Sequence, residues 1–205
     1  MSRDGATTVI GGGGAAGIVL AFALRTRFGR AACVTFISKR PFEADAALSA
    51  AAKAIRRVLV DRGITCIESQ AVVEATEDSV VLSDGRSVAA DVICTATPVH
   101  PPDWILDSAL PTEQGFLAVN DFLQVQKQSS LFAAGDIVSL ASPRGRSGVM
   151  AVRAGQYLAD AIWKRLQGTR PHRFKPQQRW LTLLNLGNGS AIAAKGRFAL
   201  ESPYL

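Results

Sequence analysis

A glycine cluster near the amino terminus constrains the fold of this chain more than any other feature. The apolar run at residues 8–10 (Thr-Val-Ile) leads after one residue into the cluster. A strand that passes through a tight glycine turn into a helix is typical of a dinucleotide-binding βαβ unit. Gly12 would make the turn, Gly14 would let the backbone approach a pyrophosphate, and Gly17 would let helix and strand pack closely. The positions predicted to bind a nucleotide here are Gly12, Gly13, Gly14, Ala15, Ala16 and Gly17.

The residues after the cluster support this interpretation. The pattern predicts a helix from Ala15 to about Arg27, which ends before Gly29, and a second strand at Cys33–Ile37. A pyrophosphate would lie at the helix amino terminus, where free N–H groups and the helix dipole favour an anion. The alternative is a glycine turn with a purely structural role.

Further along, the sequence predicts the rest of a nucleotide-binding domain. An amphipathic helix at Phe42–Asp61 precedes a third parallel strand at Ile64–Ile67. Asp84-Gly85 between two apolar stretches predicts a β-hairpin, followed by a core strand that ends near Cys94. The prolines at positions 98, 101 and 102 mark the boundary. We therefore predict a first domain at residues 1–102 and a second at 103–205.

The second part contains shorter elements. Short strands are predicted at 115–119, 123–125 and 131–134, and the third leads into Gly135-Asp136. One helix is predicted at Gly148–Gly168 because Gly168 and Pro171 terminate it. A hairpin is predicted at Trp180–Ala194.

Composition excludes several classes of protein. Of the 23 Lys and Arg residues, eleven lie after residue 140, where only two of the 17 acidic residues occur. These positive charges are dispersed and lack clustered aromatic residues, so we expect no nucleic-acid partner, whereas contact with a membrane surface stays open. The two histidines have no ligand partners at suitable spacing, and we expect no metal site.

The cysteines and the amino terminus predict the compartment. The uncharged stretch at 5–24 holds six glycines, which disfavours a signal peptide or a membrane span. Cys33, Cys66 and Cys94 form no CxxC pair, and we interpret them as buried small hydrophobic residues. We predict a cytoplasmic protein, with peripheral contact at the inner face of a membrane through the basic carboxyl-terminal third.

The motifs also resemble a known family. The glycine cluster, the Asp-Gly hairpin, GFLAVNDFLQ, LFAAGDI, GVMAVRAGQYLA and LTLLNLGNGSAIA occur in this order. Together they resemble the FAD-dependent pyridine nucleotide-disulfide oxidoreductases, in particular the type II NADH dehydrogenase and sulfide:quinone reductase group. The resemblance spans nearly the whole chain. It implies an α/β fold: a three-layer Rossmann-like domain with a β-meander insertion, then the carboxyl-terminal part of a second FAD/NAD(P)-binding domain.

The resemblance assigns roles to particular residues. Gly135 and Asp136 would bind FAD, and the following helix, which includes Val149, would direct its amino terminus at the flavin ring. Family members have two glycine boxes, and the spacing of the single box here matches the box for the nicotinamide nucleotide. Thr95 lies where an Ala-Thr-Gly turn is usual in the family and would belong to this site.

The end of the second strand carries a basic and hydroxyl-bearing sequence. Ser38, Lys39 and Arg40 stand where an acidic residue normally binds ribose hydroxyls, and they suit a 2′-phosphate. The alternative is that Lys39 and Arg40 merely face water.

The implied function is a flavin-dependent NAD(P)H oxidoreductase, or a fragment of one. Hydride would pass from NAD(P)H to FAD, and electrons would pass to a quinone-like acceptor. Hydride transfer depends on stacking and distance more than on an acid or base, so the sequence identifies no catalytic residue. The amino-terminal flavin-binding half has no counterpart among these motifs, so flavin would be bound either with help from a partner chain or in a reduced site. The alternative is a non-catalytic NAD(P)-binding module or regulatory subunit without stable flavin.

Overall fold

The structure is a computed structural model that describes residues 5–140, 147–177 and 180–203. The chain forms two compact units. The first runs from the amino terminus to Pro98 and also includes the segment from Leu181 onward, and the second comprises Val99–Trp180.

The first unit is an α/β structure with three sheets. Its helices are α1 (Ala15–Phe28) and α2 (Ala52–Asp61). The parallel sheet contains β1 (Ala6–Gly11), β2 (Ala32–Ser38), β3 (Thr65–Glu68) and β7 (Val92–Thr95), in the order β3-β2-β1-β7. An antiparallel meander contains β4 (Val72–Ala75), β5 (Ser79–Leu82) and β6 (Ser87–Ala89). The carboxyl-terminal antiparallel sheet contains β11 (Thr182–Asn185), β12 (Ala191–Lys195) and β13 (Phe198–Ser202).

The parallel sheet is buried on both faces because its strands alternate between two apolar clusters. Ile10 and Phe36 pack with Phe22 of α1 and Ile55 of α2 on one face. Their strand neighbours, such as Val9, pack against the meander on the other face. The result is three layers with helices on one side and the meander on the other, which confirms the predicted fold class.

Two elements of the first unit differ from the prediction. The helix predicted at Phe42–Asp61 begins ten residues later, at Ala52, and short 3₁₀ turns occupy Phe42–Ala44 and Ser49–Ala51. The Asp45 carboxylate accepts a hydrogen bond from the Ala47 N–H at 2.8 Å, which favours a turn over helix. The predicted hairpin at the carboxyl terminus is present and gains a third strand, β13.

The carboxyl-terminal sheet is part of the first unit because its inner face enters that unit's core. Leu184 and Ile192 are fully buried against the cluster that contains Phe22. The predicted boundary after residue 102 lies close to the division observed after Pro98, whereas the segment from Leu181 returns to the first unit. The functional names given to the two predicted domains stay predictions.

The second unit surrounds one long helix. It contains the helices α3 (Asp103–Asp107) and α4 (Gly148–Leu166) and the strands β8 (Thr112–Glu113), β9 (Phe116–Ala118) and β10 (Val138–Ser139). Ala154 and Tyr157 of α4 pack with Leu117 and Leu123 in its core. The strands predicted at 123–125 and 131–134 form only isolated bridges, Val119 with Val125 and Gln124 with Phe132. Arg144, Arg146 and Arg179 of the basic third lie outside the described residues.

Candidate nucleotide-binding site

The glycine turn lies at the carboxyl edge of the parallel sheet, between β1 and its two neighbours. The Gly12 N–H donates to the Ile37 carbonyl at the end of β2, at 3.0 Å. The Ala96 N–H donates to the Gly11 carbonyl at 2.8 Å just after β7. In open parallel sheets of this kind, ligands bind beyond the strand ends where the strand order reverses. Here that point falls between β1 and β7.

Two glycines of the turn are required by close backbone contacts. Gly12 has φ +146°, and a Cβ atom there would lie 2.1 Å from the Ala96 carbonyl oxygen. A Cβ atom on Gly17 would lie 2.1 Å from the Gly12 carbonyl oxygen and 3.1 Å from the Phe36 ring. Larger residues at either position would therefore displace the turn or separate α1 from the sheet.

The other two glycines of the turn differ in their surroundings: Gly13 adjoins Ser38, whereas Gly14 has no close neighbour. A Cβ atom on Gly13 would lie 2.0 Å from Ser38 Oγ, a contact that the sequence did not reveal. A Cβ atom on Gly14 would meet nothing within 4 Å. Within the described part of the chain, the space beside Gly14 is therefore open; that a pyrophosphate lies there stays a prediction.

The amino terminus of α1 is suited to an anion. Gly14 is the N-cap residue, and no side chain among the described residues caps the helix. The first turn contains no acidic residue, and Ala15 and Ala16 are exposed there. The N–H groups and the positive end of the dipole thus have no acidic side chain of the first turn beside them.

The end of β2 adjoins the glycine turn through Ser38. This residue is buried, and its hydroxyl donates to the Arg40 carbonyl at 2.5 Å. Lys39 and Arg40 are exposed, and neither forms an ion pair within the part of the chain that the structure describes. Ser38 therefore shapes the loop, whereas Lys39 and Arg40 provide the charge.

An ion-pair cluster that was not predicted from the sequence adjoins the loop at residues 38–42. Arg56 Nε contacts Glu68 Oε1 at 2.5 Å, and Arg56 Nη1 contacts Glu43 Oε1 at 2.5 Å. The second Glu68 oxygen accepts a hydrogen bond from the Phe42 N–H at 2.9 Å. The guanidinium hydrogen bond lowers the pKa of Glu43 to about 2, and the two carboxylates raise the pKa of Arg56 above its ordinary value. These residues lie far apart in sequence, and only the charges themselves offered a signal.

Thr95 completes the set of predicted residues in the first unit. It ends β7, is exposed, and pairs in register with Gly11 of β1. The structure thus places the glycine turn, the 38–40 segment and Thr95 at one edge of the parallel sheet.

The second predicted region lies within the other unit. Gly135 and Asp136 begin a 3₁₀ turn at Gly135–Ile137, and Gly135 has φ +82°. Asp136 is exposed and is not the N-cap of α4, because Ser147 takes that place and accepts a hydrogen bond from the Met150 N–H at 3.3 Å. Val149 is exposed in the first turn of α4.

The second unit also has an open cavity of about 470 Å³ along α4. None of its lining residues belongs to the predicted site. The Tyr157 hydroxyl, at the cavity wall, donates to the His172 carbonyl at 2.7 Å, and the two rings meet edge to face. The cavity is lined by Arg153, Gln156, Tyr157, Asp160, His172, Phe174, Lys175 and Gln177.

The cysteines do not all match their predicted environment. The prediction of a buried residue is wrong for Cys33, which is exposed, because its side chain projects from β2 between the buried Ala32 and Val34. Cys66 and Cys94 are half-buried. Burial raises the pKa of the Cys66 thiol to about 11.

The described residues offer neither a cluster of metal ligands nor a membrane-spanning helix. No group of three or more His, Cys, Asp or Glu residues at 5–140, 147–177 and 180–203 is arranged to hold a metal ion. Within the same residues, no helix combines the length and apolar character needed to cross a membrane.

Comparison with known proteins defines the class. The family model described as pyridine nucleotide-disulphide oxidoreductase matches residues 2–157. This chain therefore belongs to the pyridine nucleotide-disulphide oxidoreductase family, as the motifs had suggested.

Individual relatives are more distant. The chain is 27% identical over 201 residues to ferroptosis suppressor protein 1 of Xenopus tropicalis, across 90% of this chain and 52% of the relative. It is 26% identical over 92 residues to the mitochondrial internal alternative NAD(P)H-ubiquinone oxidoreductase A1 of Solanum tuberosum, across 42% of this chain and 19% of the relative. The chain thus spans about half the length, or less, of these curated relatives.

A solved structure supports the fold. The sulfide:quinone oxidoreductase of Aquifex aeolicus superposes with a TM-score of 0.76 at 15% identity, across 99% of this chain and 55% of the other. At this identity the similarity concerns the fold alone. The Rossmann-like arrangement predicted from the glycine box is confirmed.

Proposed function

We propose that the first unit binds NAD(P)H and that the chain takes part in hydride transfer to FAD, with electrons passed on to a quinone-like acceptor. The glycine turn is the observation that carries this proposal. Its backbone is held by contacts that exclude side chains at Gly12 and Gly17, while the space beside Gly14 is open. A pyrophosphate in that space would meet the uncapped N–H groups of α1.

The residues at the strand ends would contact the other parts of the nucleotide. Thr95 would border the nicotinamide end of the nucleotide, and the 38–40 segment would contact the adenosine ribose. The two cofactors supply the redox chemistry, and the residues of this chain bind and orient them. The name of the potato relative includes ubiquinone, which supports an acceptor of that class.

The second unit fits part of a flavin site. Asp136 is exposed after a glycine turn, and the amino terminus of α4 has no acidic residue in its first turn. The carboxylate would accept hydrogen bonds from ribityl hydroxyls, and the helix amino terminus would suit the pyrophosphate of FAD. One glycine box in 205 residues provides for one dinucleotide, so the adenosine half of FAD would require another polypeptide segment, in a partner chain or in the same protein.

An exposed face of α4 supports such a segment. Trp163 and Leu166 expose 62% and 77% of their surface, and Val149, Val152 and Ile162 are exposed along the same helix. An apolar stripe of this length on a helix is typical of a packing surface.

Flavin retention tests the proposal. The visible absorption spectrum is recorded for the purified chain, before and after FAD is added and the excess is removed by gel filtration. A retained flavin spectrum that bleaches with NADPH or NADH would support the oxidoreductase. The Asp136→Ala variant is expected to retain no flavin, and unchanged flavin content would remove Asp136 from the site.

The alternative is a non-catalytic NAD(P)-binding module. It is favoured by the completeness of the glycine turn in the first unit, which requires no flavin. A chain that binds nicotinamide nucleotide by fluorescence, yet retains no flavin even with the complementary half of a full-length relative present, would support this alternative and contradict the enzyme.

Peripheral membrane contact of a cytoplasmic protein is a further part of the proposal. The outer face of the carboxyl-terminal sheet carries Leu183 and Leu200, which flank Ala193 in register and are exposed. Phe198 lies opposite Lys195 on the same face. Apolar side chains beside cationic ones suit an anionic lipid surface. Co-sedimentation with phosphatidylserine vesicles, lost in a Leu183→Ser/Leu200→Ser variant, is the expected result; no sedimentation of the wild-type chain would contradict it.

A further inference from the structure

The loop after β2 carries two exposed basic side chains, and the carboxylates near it are held by Arg56. Lys39 and Arg40 are exposed beside the glycine turn, because Ser38 contacts Gly13 and precedes them directly. No acidic side chain occurs at residues 38–42, where a site for an unphosphorylated ribose would place one.

The nearest carboxylate on the neighbouring strand is turned toward other partners. Glu68 pairs in register with Ser38, so it ends β3 beside the end of β2. Both of its oxygens are engaged, by Arg56 at 2.5 and 2.8 Å and by the Phe42 N–H at 2.9 Å. Its charge is thus partly offset by a guanidinium that it shares with Glu43, and its oxygens accept hydrogen bonds from Arg56 and the loop instead of ribose hydroxyls.

The same cluster holds the loop in place. Arg56 bridges Glu68 to Glu43, and its guanidinium stacks 5.4 Å from the centre of the Phe42 ring, which is buried in the core. The chain between Ser38 and Phe42 is therefore fixed at both ends, by the buried hydroxyl and by the Arg56 cluster. Its two basic side chains are exposed in a loop of defined backbone.

We infer that this chain selects NADPH over NADH, with Lys39 and Arg40 binding the 2′-phosphate and Arg56 acting as a positioning residue. The inference rests on the proposed nicotinamide site and names the nucleotide that it takes. A phosphate monoester accepts charge-assisted hydrogen bonds from Lys and Arg, and NADH lacks this group.

Nucleotide titrations test the inference. NADPH and NADH binding to the full chain are measured by the change in nucleotide fluorescence, and 2′,5′-ADP is the competing probe. The wild-type chain is expected to bind NADPH at least tenfold more tightly. The Lys39→Ala/Arg40→Ala variant should lose about 10- to 100-fold in NADPH affinity and less than about threefold in NADH affinity.

A matched variant controls for net charge. Arg27→Ala/Arg30→Ala removes two exposed basic residues near the amino end of β2, about 20 Å from Ser38 along a seven-residue strand. It should leave both affinities unchanged. Equal losses for the two nucleotides in the Lys39→Ala/Arg40→Ala variant, or tighter binding of NADH by the wild-type chain, would overturn the inference and leave the nicotinamide site standing. Binding of neither nucleotide would overturn both.

Two further variants test the positioning role of Arg56. Arg56→Met leaves two carboxylates uncompensated near the loop, so it should weaken NADPH while NADH affinity is kept. Glu43→Gln removes one negative charge without disturbing the core, and it should strengthen NADPH by about two- to threefold at low salt. Unchanged NADPH-to-NADH ratios in both variants would exclude the positioning role.

Discussion

The glycine box at residues 12–17 (the first box) and the Gly135-Asp136 turn, which has no GxGxxG pattern (the second box), differ in what surrounds them. Gly12 and Gly135 both have positive φ angles, +146° and +82°. A Cβ atom on Gly12 would strike the Ala96 carbonyl oxygen at 2.1 Å, whereas one on Gly135 would only touch Ala151 Cβ at 3.9 Å. A backbone contact within the first unit leaves no room for a side chain at Gly12. At Gly135 only the positive φ angle favours glycine. The glycine turn of the first unit is therefore fixed by contacts within that unit.

The helix after the first box is also more completely packed against its own unit than the helix after the second box. α1 places Ile18 and Phe22 in a core that also includes α2 and the carboxyl-terminal sheet. α4 buries Met150 and Ala154 but leaves an apolar stripe that includes Val152 and Trp163 exposed. The contrast teaches that the helix after the first box is covered within its own unit, whereas α4 leaves an apolar stripe exposed.

The largest expected effect is on the first box. Gly12→Ala and Gly17→Ala each introduce a Cβ atom at 2.1 Å from a backbone oxygen, and we expect each to lower the free energy of unfolding by about 3 kcal/mol. Thermal denaturation should show a decrease on the order of 10 °C. Gly14→Ala is the matched control, with unchanged stability and weaker nucleotide binding. Equal stability of all three variants would show that the close backbone contacts at Gly12 and Gly17 do not exclude a side chain.

A similar pair of variants tests the two faces of α4. Ala154→Asp places a carboxylate in the core of the second unit and should cost about 3 kcal/mol or more. Val152→Asp lies on the exposed stripe and should leave stability within about 0.5 kcal/mol. The same Val152→Asp change should reduce flavin retention in the presence of the complementary half. Strong destabilisation by Val152→Asp would show that the stripe is already covered.

The second box should tolerate substitution better than the first. Gly135→Ala forces an alanine into the left-handed region without a severe contact, so we expect a loss of about 1–2 kcal/mol. Gly148→Ala, at the start of α4 with no neighbour within 4 Å of the added Cβ, should be neutral or slightly stabilising. Urea denaturation of both variants measures the difference. A Gly135→Ala loss as large as that of Gly12→Ala would contradict the comparison.

The smallest expected effect is a modest loss of stability at low pH. The pKa of Glu43 in the folded state is about 2, below its ordinary value of 4.5, because of the hydrogen bond from Arg56. The stabilisation is therefore complete above pH 4.5 and is lost as the pH falls toward 2. The wild-type chain and Glu43→Gln should differ modestly in thermal stability at pH 6 and converge by about pH 2. A difference that persists at pH 2 would show that it does not arise from ionisation of Glu43.

Local patterns predicted most of the first unit. The strand, turn and helix around Gly12 follow from alternation and glycine placement, and β2, β3 and the meander followed from the same rules. The 3₁₀ turns at 42–51 were not predicted, because an Asp45 side chain and a Glu68 contact decide them. The third carboxyl-terminal strand was missed because Phe198–Ser202 is exposed over most of its length and lacks a clear period.

The sequence by itself determined that a glycine turn follows the first strand and that a basic loop follows the second. It also determined the family, because ordered motifs over nearly the whole chain carried the resemblance. Tertiary structure alone decided that Gly13 contacts Ser38, that Arg56 holds Glu68 beside this loop, and that the last sheet joins the first unit. Each of these contacts joins residues distant in the chain, and local periodicity carries no information about such pairs.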